Sequence, residues 1–286
     1  MAADKVRTIS RRLRDLCEPI AGSVYFVPEA LDGYKALGLA SYADGYFISR
    51  GAALGRPSGE VVTAAFGVFN PAIVIPAVET GWSKTDPETI LRVRREGANA
   101  ALRRILGEAH PSAAVAILRP VMESVDFAGR MLFAGLRGLP FPDEPLAQLW
   151  RVCDYVRERR GDGHIAAWVA AGCDPVEISL LTELFWGLDL ATYVFTRGWT
   201  AEEVDAGIAR LEDKGYIADR AFTDAGREYR RAIEAATDEL EADIVEALSG
   251  REEELFALLE PVQKAVLDAK GYPVDPARTM SADLKQ

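Results

Sequence analysis

The chain has 286 residues, 49% of them hydrophobic, with 33 basic against 44 acidic side chains and a formal net charge of −11. That length buries a substantial core in one large or two ordinary domains, and the acidic balance argues against unassisted binding to nucleic acid or to an anionic membrane. Cys17, Cys153 and Cys173 have no paired spacing, no apolar run reaches the length of a bilayer span, and no signal-peptide core is present, so a cytoplasmic protein with reduced thiols is expected.

In chain order, residues 1–20 predict an amphipathic helix burying Val6, Ile9, Leu13 and Leu16. Its outer face carries Lys5, Arg7, Arg11, Arg12 and Arg14, diluted by Asp4, Asp15 and Glu18, and reads as a solvated face. Pro19 and Gly22 are expected to end it. A short apolar segment, 23–27, contains Tyr25, a candidate ligand contact. A helix over 28–37 stops at Gly38. Tyr42, Tyr46 and Arg50 then follow at i+4 steps, placing two phenols and a guanidinium on one helical face. Such a face suits a ligand with an aromatic or acidic part; the alternative is half-buried tyrosines with Arg50 paired to a carboxylate. Helices over 58–69 and 71–78 are separated at Asn70-Pro71, where Asn70 serves as a cap or faces a cavity. Thr85 or Asp86 caps the next helix, with Pro87 in its first turn and Gly107 as its stop. His110 falls in a loop and is expected to be exposed. After helices over 112–123 and 125–136, the breaker-rich stretch GLPFPDEP at 138–145 marks a boundary between an N-terminal helical domain (1–140) and a C-terminal winged-helix domain (141–270), followed by a polar tail (271–286). A helix from Leu146 turns Leu149, Trp150, Cys153 and Val156 inward and is expected to end near Arg160.

The segment RRGDGHIAAWVAAGCDP, 159–175, is the first candidate for chemistry. Asp162 can cap a new helix with His164 in its first turn. The helix dipole would then depress the imidazole pKa and keep it neutral, suited to act as base or donor near pH 7. Asp162 and His164 are therefore the candidate catalytic pair, although an ordinary surface helix start has the same residues. Tyr25, Tyr46, Arg50, Asn70, Trp150 and Arg160 are the candidate ligand contacts. The chain has two histidines, and neither has a second ligand at metal-binding spacing, so no metal is expected. Walker A, GxGxxG, GxSxG and HExxH patterns are absent, so no cofactor is expected either.

Residues 197–240 follow the order of a winged helix. Thr200 and Glu203 form a capping box worth about 1 kcal/mol, with Trp199 placed to staple onto Val204. Val204, Ile208 and Leu211 recur on one face, and Gly215 ends the helix. Two short strands, at Tyr216-Ile217 and Ala221-Phe222, flank Asp219-Arg220 as the wing. Thr223 caps a closing helix with Ala225, Tyr229, Ile233, Leu240, Ile244 and Leu248 as its stripe. A winged helix normally reads DNA with the helix at 200–214. Here Glu202, Glu203, Asp205, Glu212 and Asp213 oppose only Arg210 and Lys214, so DNA recognition is not expected. A last amphipathic helix, 252–269, should kink or split at Pro261. Terminal helices of this kind commonly pair, and a twofold homodimer is expected.

The segment RRGDGHIAAWVAAGCDPVE resembles part of the SalK-like helix-turn-helix family of actinobacterial proteins. GYFISRGAALGRPSGEVVTAAFGVFNPAIV, FPDEPLAQLW, RGWTAEEVDAGIARLEDKG and FTDAGREYRRAIEAATD resemble its successive blocks, so that the similarity covers most of the chain. It implies a compact all-α protein with diverged, MarR-like winged-helix elements and little β-structure, of a kind sometimes found beside secondary-metabolism genes. One departure is local: the chain has Glu18-Pro-Ile-Ala21-Gly22 where EPIHA-type sequences carry a histidine. The leading expectation is a small organic ligand bound in an internal pocket. The alternatives are a metal-independent enzyme using His164 as general acid or base, and a MarR-like transcriptional regulator.

Overall fold

The computed structural model describes residues 2–107 and 111–273; the expectation for His110 lies outside them. The described residues are mainly helical, with one two-stranded antiparallel hairpin. The helices are α1 (Ala2–Gly22), α2 (Pro28–Ala36), α3 (Tyr42–Gly51), α4 (Gly59–Phe66), α5 (Pro71–Lys84), α6 (Pro87–Leu106) and α7 (Ser112–Ser124). They continue as α8 (Met131–Arg137), α9 (Pro145–Ala170), α10 (Pro175–Phe185), α11 (Ala201–Asp213), α12 (Asp224–Glu239), α13 (Ala242–Leu248) and α14 (Glu252–Asp268).

Most helix starts are where their capping residues put them. Ser41 and Asp44 close a capping box on α3, Ser58 caps α4, Asn70 caps α5 and Asp86 caps α6. Asp174 with Glu177 and Thr200 with Glu203 close further boxes on α10 and α11. The hairpin pairs Ile217 with Phe222 and Ala218 with Ala221. Its two turn residues, Asp219 and Arg220, both have positive φ, as a two-residue turn that follows strand twist requires.

Packing overrides the sequence signals in four places. Pro19 does not end α1, which stops at Gly22 as expected: Ile20, Ala21 and Val24 beyond the proline are fully buried, and that burial outweighs one lost amide bond. Pro261 likewise does not split α14, in which it lies between buried Leu259 and Val266. The closing helix instead breaks after α12, because Arg130 and Arg159 donate to the Leu240 carbonyl at 2.8 and 3.3 Å; Leu240 is exposed, not part of a buried stripe. At the start of the expected polar tail, Gly271 and Tyr272 are buried; its remainder, 274–286, lies outside the described residues. The Tyr272 ring fills a slot over Gly22 and its hydroxyl donates to Glu18 at 3.0 Å.

The largest revision concerns α9, which does not end near Arg160 but runs unbroken to Ala170. Asp162 therefore caps nothing of its own. Its carboxylate reaches across to the first turn of α8 and accepts the Phe133 amide at 3.0 Å. The flanking glycines allow close approach: a Cβ on Gly163 would stand 1.9 Å from the Arg130 guanidinium, which donates to the Arg159 carbonyl at 2.9 Å. His164 is mid-helix, so no helix dipole acts on it.

This helix joins two apolar clusters. Leu149, Trp150, Val152, Cys153 and Val156 belong to one that reaches from Ile9 to Tyr272, while Ala167 and Trp168 belong to a second with α10, α11 and α12. Among described residues no single helix is long and apolar enough to cross a membrane. The pair α9 and α10 passes only jointly, with a bend of 111° between them.

Candidate functional site

Between the two clusters the helices leave a cavity with two chambers, of about 870 Å³ and about 300 Å³. The chambers share Arg14, Glu18, Arg157, Phe185, Trp186, Tyr193 and Arg197 in their walls. Along α9, Arg157, Arg160, Gly161 and His164 recur at helical spacing and line one side of the smaller chamber.

The smaller chamber carries a network of charged side chains on one side. Arg160 donates to Glu234 at 2.9 Å and to Asp238 at 2.8 Å, and Arg230 donates to Glu234 at 3.0 Å. Burial would raise the Glu234 pKa, but Arg230 and Arg160 outweigh it and hold the carboxyl near 2. His164 Nδ1 lies 3.0 Å from the Thr237 hydroxyl, which donates its only proton to the Ile233 carbonyl at 2.9 Å. With the Thr237 proton on that carbonyl, the contact is satisfied by the tautomer that carries its hydrogen on Nδ1 and its lone pair on Nε2. Burial, aided by the positive charge of Arg230, lowers the imidazole pKa to about 4. The residue is thus neutral at pH 7, as expected, but for a different reason.

The larger chamber is aromatic. Tyr42 and Tyr46 stack with centroids 5.7 Å apart and planes 15° from parallel, and Tyr46 also meets Tyr25, Phe66 and Phe69. Trp186 meets Tyr193 edge-on at 5.4 Å. Arg50 lies beside this wall but is neutralised: Glu158 accepts from it at 2.9 and 2.7 Å, and its Nη1 donates to the Tyr46 hydroxyl at 3.2 Å. Burial alone would raise the Glu158 pKa, yet Arg50 and Arg157 hold it near 2. Arg157 also pairs with Glu18 at 3.1 Å.

Arg197 differs from all of these. Its guanidinium lies over the rings of Phe69 and Tyr193, 4.6 and 4.2 Å from their centroids. Among described residues it has no hydrogen-bond or carboxylate partner, and its Nε is buried and unsatisfied. Burial lowers its pKa to about 10, with Arg50 and Arg157 adding repulsion, so it remains a cation at neutral pH.

The loop carrying Trp186, Tyr193 and Arg197 is tied down by Glu183, which is fully buried. Its carboxylate accepts the amides of Ala191, Thr192 and Val194 at 2.7, 3.0 and 2.5 Å. Burial nonetheless pushes its pKa up to about 7 against those donors. Glu183→Gln, which turns an amino group toward some of these amides, should cost about 1–2 kcal/mol in urea unfolding. A loss under about 0.5 kcal/mol would mean that the loop holds its shape without this carboxylate.

Of the residues singled out by sequence, Tyr25, Tyr46, Arg50, Arg160 and His164 line the cavity, and Tyr42 joins them. Asp162, Asn70 and Trp150 do not. Asp162 faces α8. Asn70 is occupied on both sides of its amide, accepting from Ala72 and donating to Glu203. Trp150 is sealed in the core with its indole N–H on the Ala21 carbonyl at 3.1 Å. Arg157, Arg197, Trp186, Tyr193 and Tyr272 were not singled out. Helical spacing from Arg160 and His164 would have found Arg157, but nothing local marks Arg197. No group of three or more His, Cys, Asp or Glu side chains among described residues is placed to hold a metal.

A family model described as a helix-turn-helix family matches residues 10–273. The chain belongs to this helix-turn-helix family. No curated protein and no solved structure gave a match. Within this helix-turn-helix protein, α11 precedes the hairpin, where a winged helix carries its DNA-reading element. Both cations of that stretch are engaged internally: Arg210 donates to Asp174 at 2.6 Å and Lys214 to Glu177 at 2.7 Å.

Proposed function

We propose that this helix-turn-helix protein binds a small organic molecule in the two-chambered cavity and does not read DNA with α11. The observation that carries this reading is the aromatic chamber of about 870 Å³ opening beside a cation that no described residue neutralises. That volume is in the range of drug-sized ligand sites, and an apolar wall with few fixed polar groups is their usual composition. The acidic α11, with Arg210 and Lys214 paired to Asp174 and Glu177 at the start of α10, would meet phosphates with repulsion. A MarR-like regulator contacting DNA through α11 is the weaker reading for the same reason.

A thermal-shift panel of one- to three-ring aromatic compounds, run beside duplex DNA at low salt, tests the proposal. A ligand at ~100 times its Kd should stabilise by about 2.7 kcal/mol, while DNA should give no shift. Retardation of duplex DNA with no stabilising small molecule would reject it.

His164 supports a second reading, a metal-independent enzyme. An imidazole neutral at pH 7 in the wall of a cavity, with one ring nitrogen held by Thr237, is a candidate to accept a proton from a bound ligand. Mass spectrometry of panel compounds after incubation distinguishes the two. Conversion by the wild type that His164→Asn loses would establish catalysis, and recovery of every compound unchanged would leave a binder.

A further inference from the structure

Resting on the ligand-binding reading above, we infer that the ligand is a planar polycyclic aromatic carboxylate, anchored through its carboxylate on Arg197. The inference starts from charge. Arg14, Arg50, Arg157, Arg160 and Arg230 also line the cavity, and each has a carboxylate partner within 3.3 Å. Arg197 has none. Keeping an arginine charged in a site that lowers its pKa costs stability. A carboxylate arriving with the ligand would remove that cost and make a paired, charge-assisted contact with the planar fork.

The setting narrows the class. The guanidinium is held by ring faces, Phe69 and Tyr193, and not by hydrogen bonds, so its N–H edge is uncommitted. One free cation matches one monoanion. A phosphate dianion is disfavoured, because the other arginines of the chamber wall, Arg14 and Arg157, are already paired with Asp15 and Glu18 and leave no cation for a second charge. The rest of that wall, with Tyr42, Tyr46, Phe69 and Trp186, presents rings for stacking. Its volume, about 870 Å³, exceeds what a single ring fills, which favours a fused system over a benzoate.

The test is titration calorimetry of benzoate, 2-naphthoate and anthracene-2-carboxylate, each beside its neutral primary amide, into the full chain. Affinity should rise with ring number, and each fused-ring acid should bind at least ~10-fold more tightly than its amide. In Arg197→Gln the acid and amide should converge to within about 2-fold, while Arg197→Lys should keep part of the preference. Circular dichroism and the melting curve establish that each variant is folded. If only Arg197→Lys folds, a 3-fold or greater drop in its acid preference is the expected result, and an undiminished preference overturns the proposal. Equal binding of acid and amide to the wild type would overturn the carboxylate anchor but leave the cavity as a ligand site. An acid preference that survives in folded Arg197→Gln would place the anchor elsewhere. Failure of every acid and amide to bind, with other panel compounds still stabilising the protein, would overturn the ligand class alone.

Discussion

Asp154→Asn should destabilise the protein by about 3–5 kcal/mol, the usual consequence of removing one member of a buried ion pair. Asp154 is fully buried, and its two oxygens accept from Arg94 at 2.7 and 3.1 Å. Arg94 also donates to the Tyr25 hydroxyl at 2.8 Å and packs over the Trp150 ring, 4.6 Å from its centroid. The variant would leave a buried guanidinium facing a neutral amide. The damage should reach the cavity as well, since Tyr25 meets Tyr46 edge-on at 5.0 Å. Replacing both partners, Arg94→Met with Asp154→Leu, should recover much of the loss, because the residual cost is the unpaired charge. Urea unfolding of the single and double variants measures both. A single-variant loss under about 1 kcal/mol would show that water or another group reaches Arg94.

The second large effect is a pH dependence carried by His164. Its folded pKa is about 4 against an ordinary value of 6.5. The folded state therefore stays neutral while the unfolded chain takes up a proton, and stability falls as pH drops from 6.5 to 4. A shift of that size corresponds to about 2–3 kcal/mol after allowance for partial exposure. Asp162 and Glu183, both raised to about 7 by burial, act in the opposite direction, because their folded forms take up protons first. Glu158 and Glu234, held near 2, add acid lability only below 4.5. The histidine contribution is thus read from the difference between wild type and His164→Asn. The wild type should lose about 2–3 kcal/mol more than the variant between pH 7 and pH 4. Parallel curves would show that the folded imidazole titrates like a free one.

The helix-turn-helix fold was largely legible because its signals are local. Thr200 with Glu203, Asp86 before Pro87, and the Asp219-Arg220 turn each act within a few residues, and the structure uses them as read. The misreading of Asp162 has the opposite cause. Gly161-Asp162-Gly163 looks like a helix start, yet its role depends on Arg130 and Phe133, some thirty positions away. Tyr46, Arg50, Arg160 and His164 were found through spacing and chemical type. Arg197 was not, since what distinguishes it is a missing partner, and the lack of a partner is visible only once the other arginines have found theirs. Trp186, Tyr193 and Tyr272 reach the cavity from a loop and from the segment after α14, where no periodicity operates.

Ligand binding inside the cavity is tested most directly by filling it. Ala43 lines the larger chamber on α3, and Ala43→Trp would occupy ring-sized space there while keeping Arg197 itself. Calorimetric titration of 2-naphthoate into wild type and folded Ala43→Trp should give saturable heat with the first and a loss of at least ~10-fold in affinity with the second. Equal binding to both proteins would place the molecule outside the cavity and contradict the proposed function.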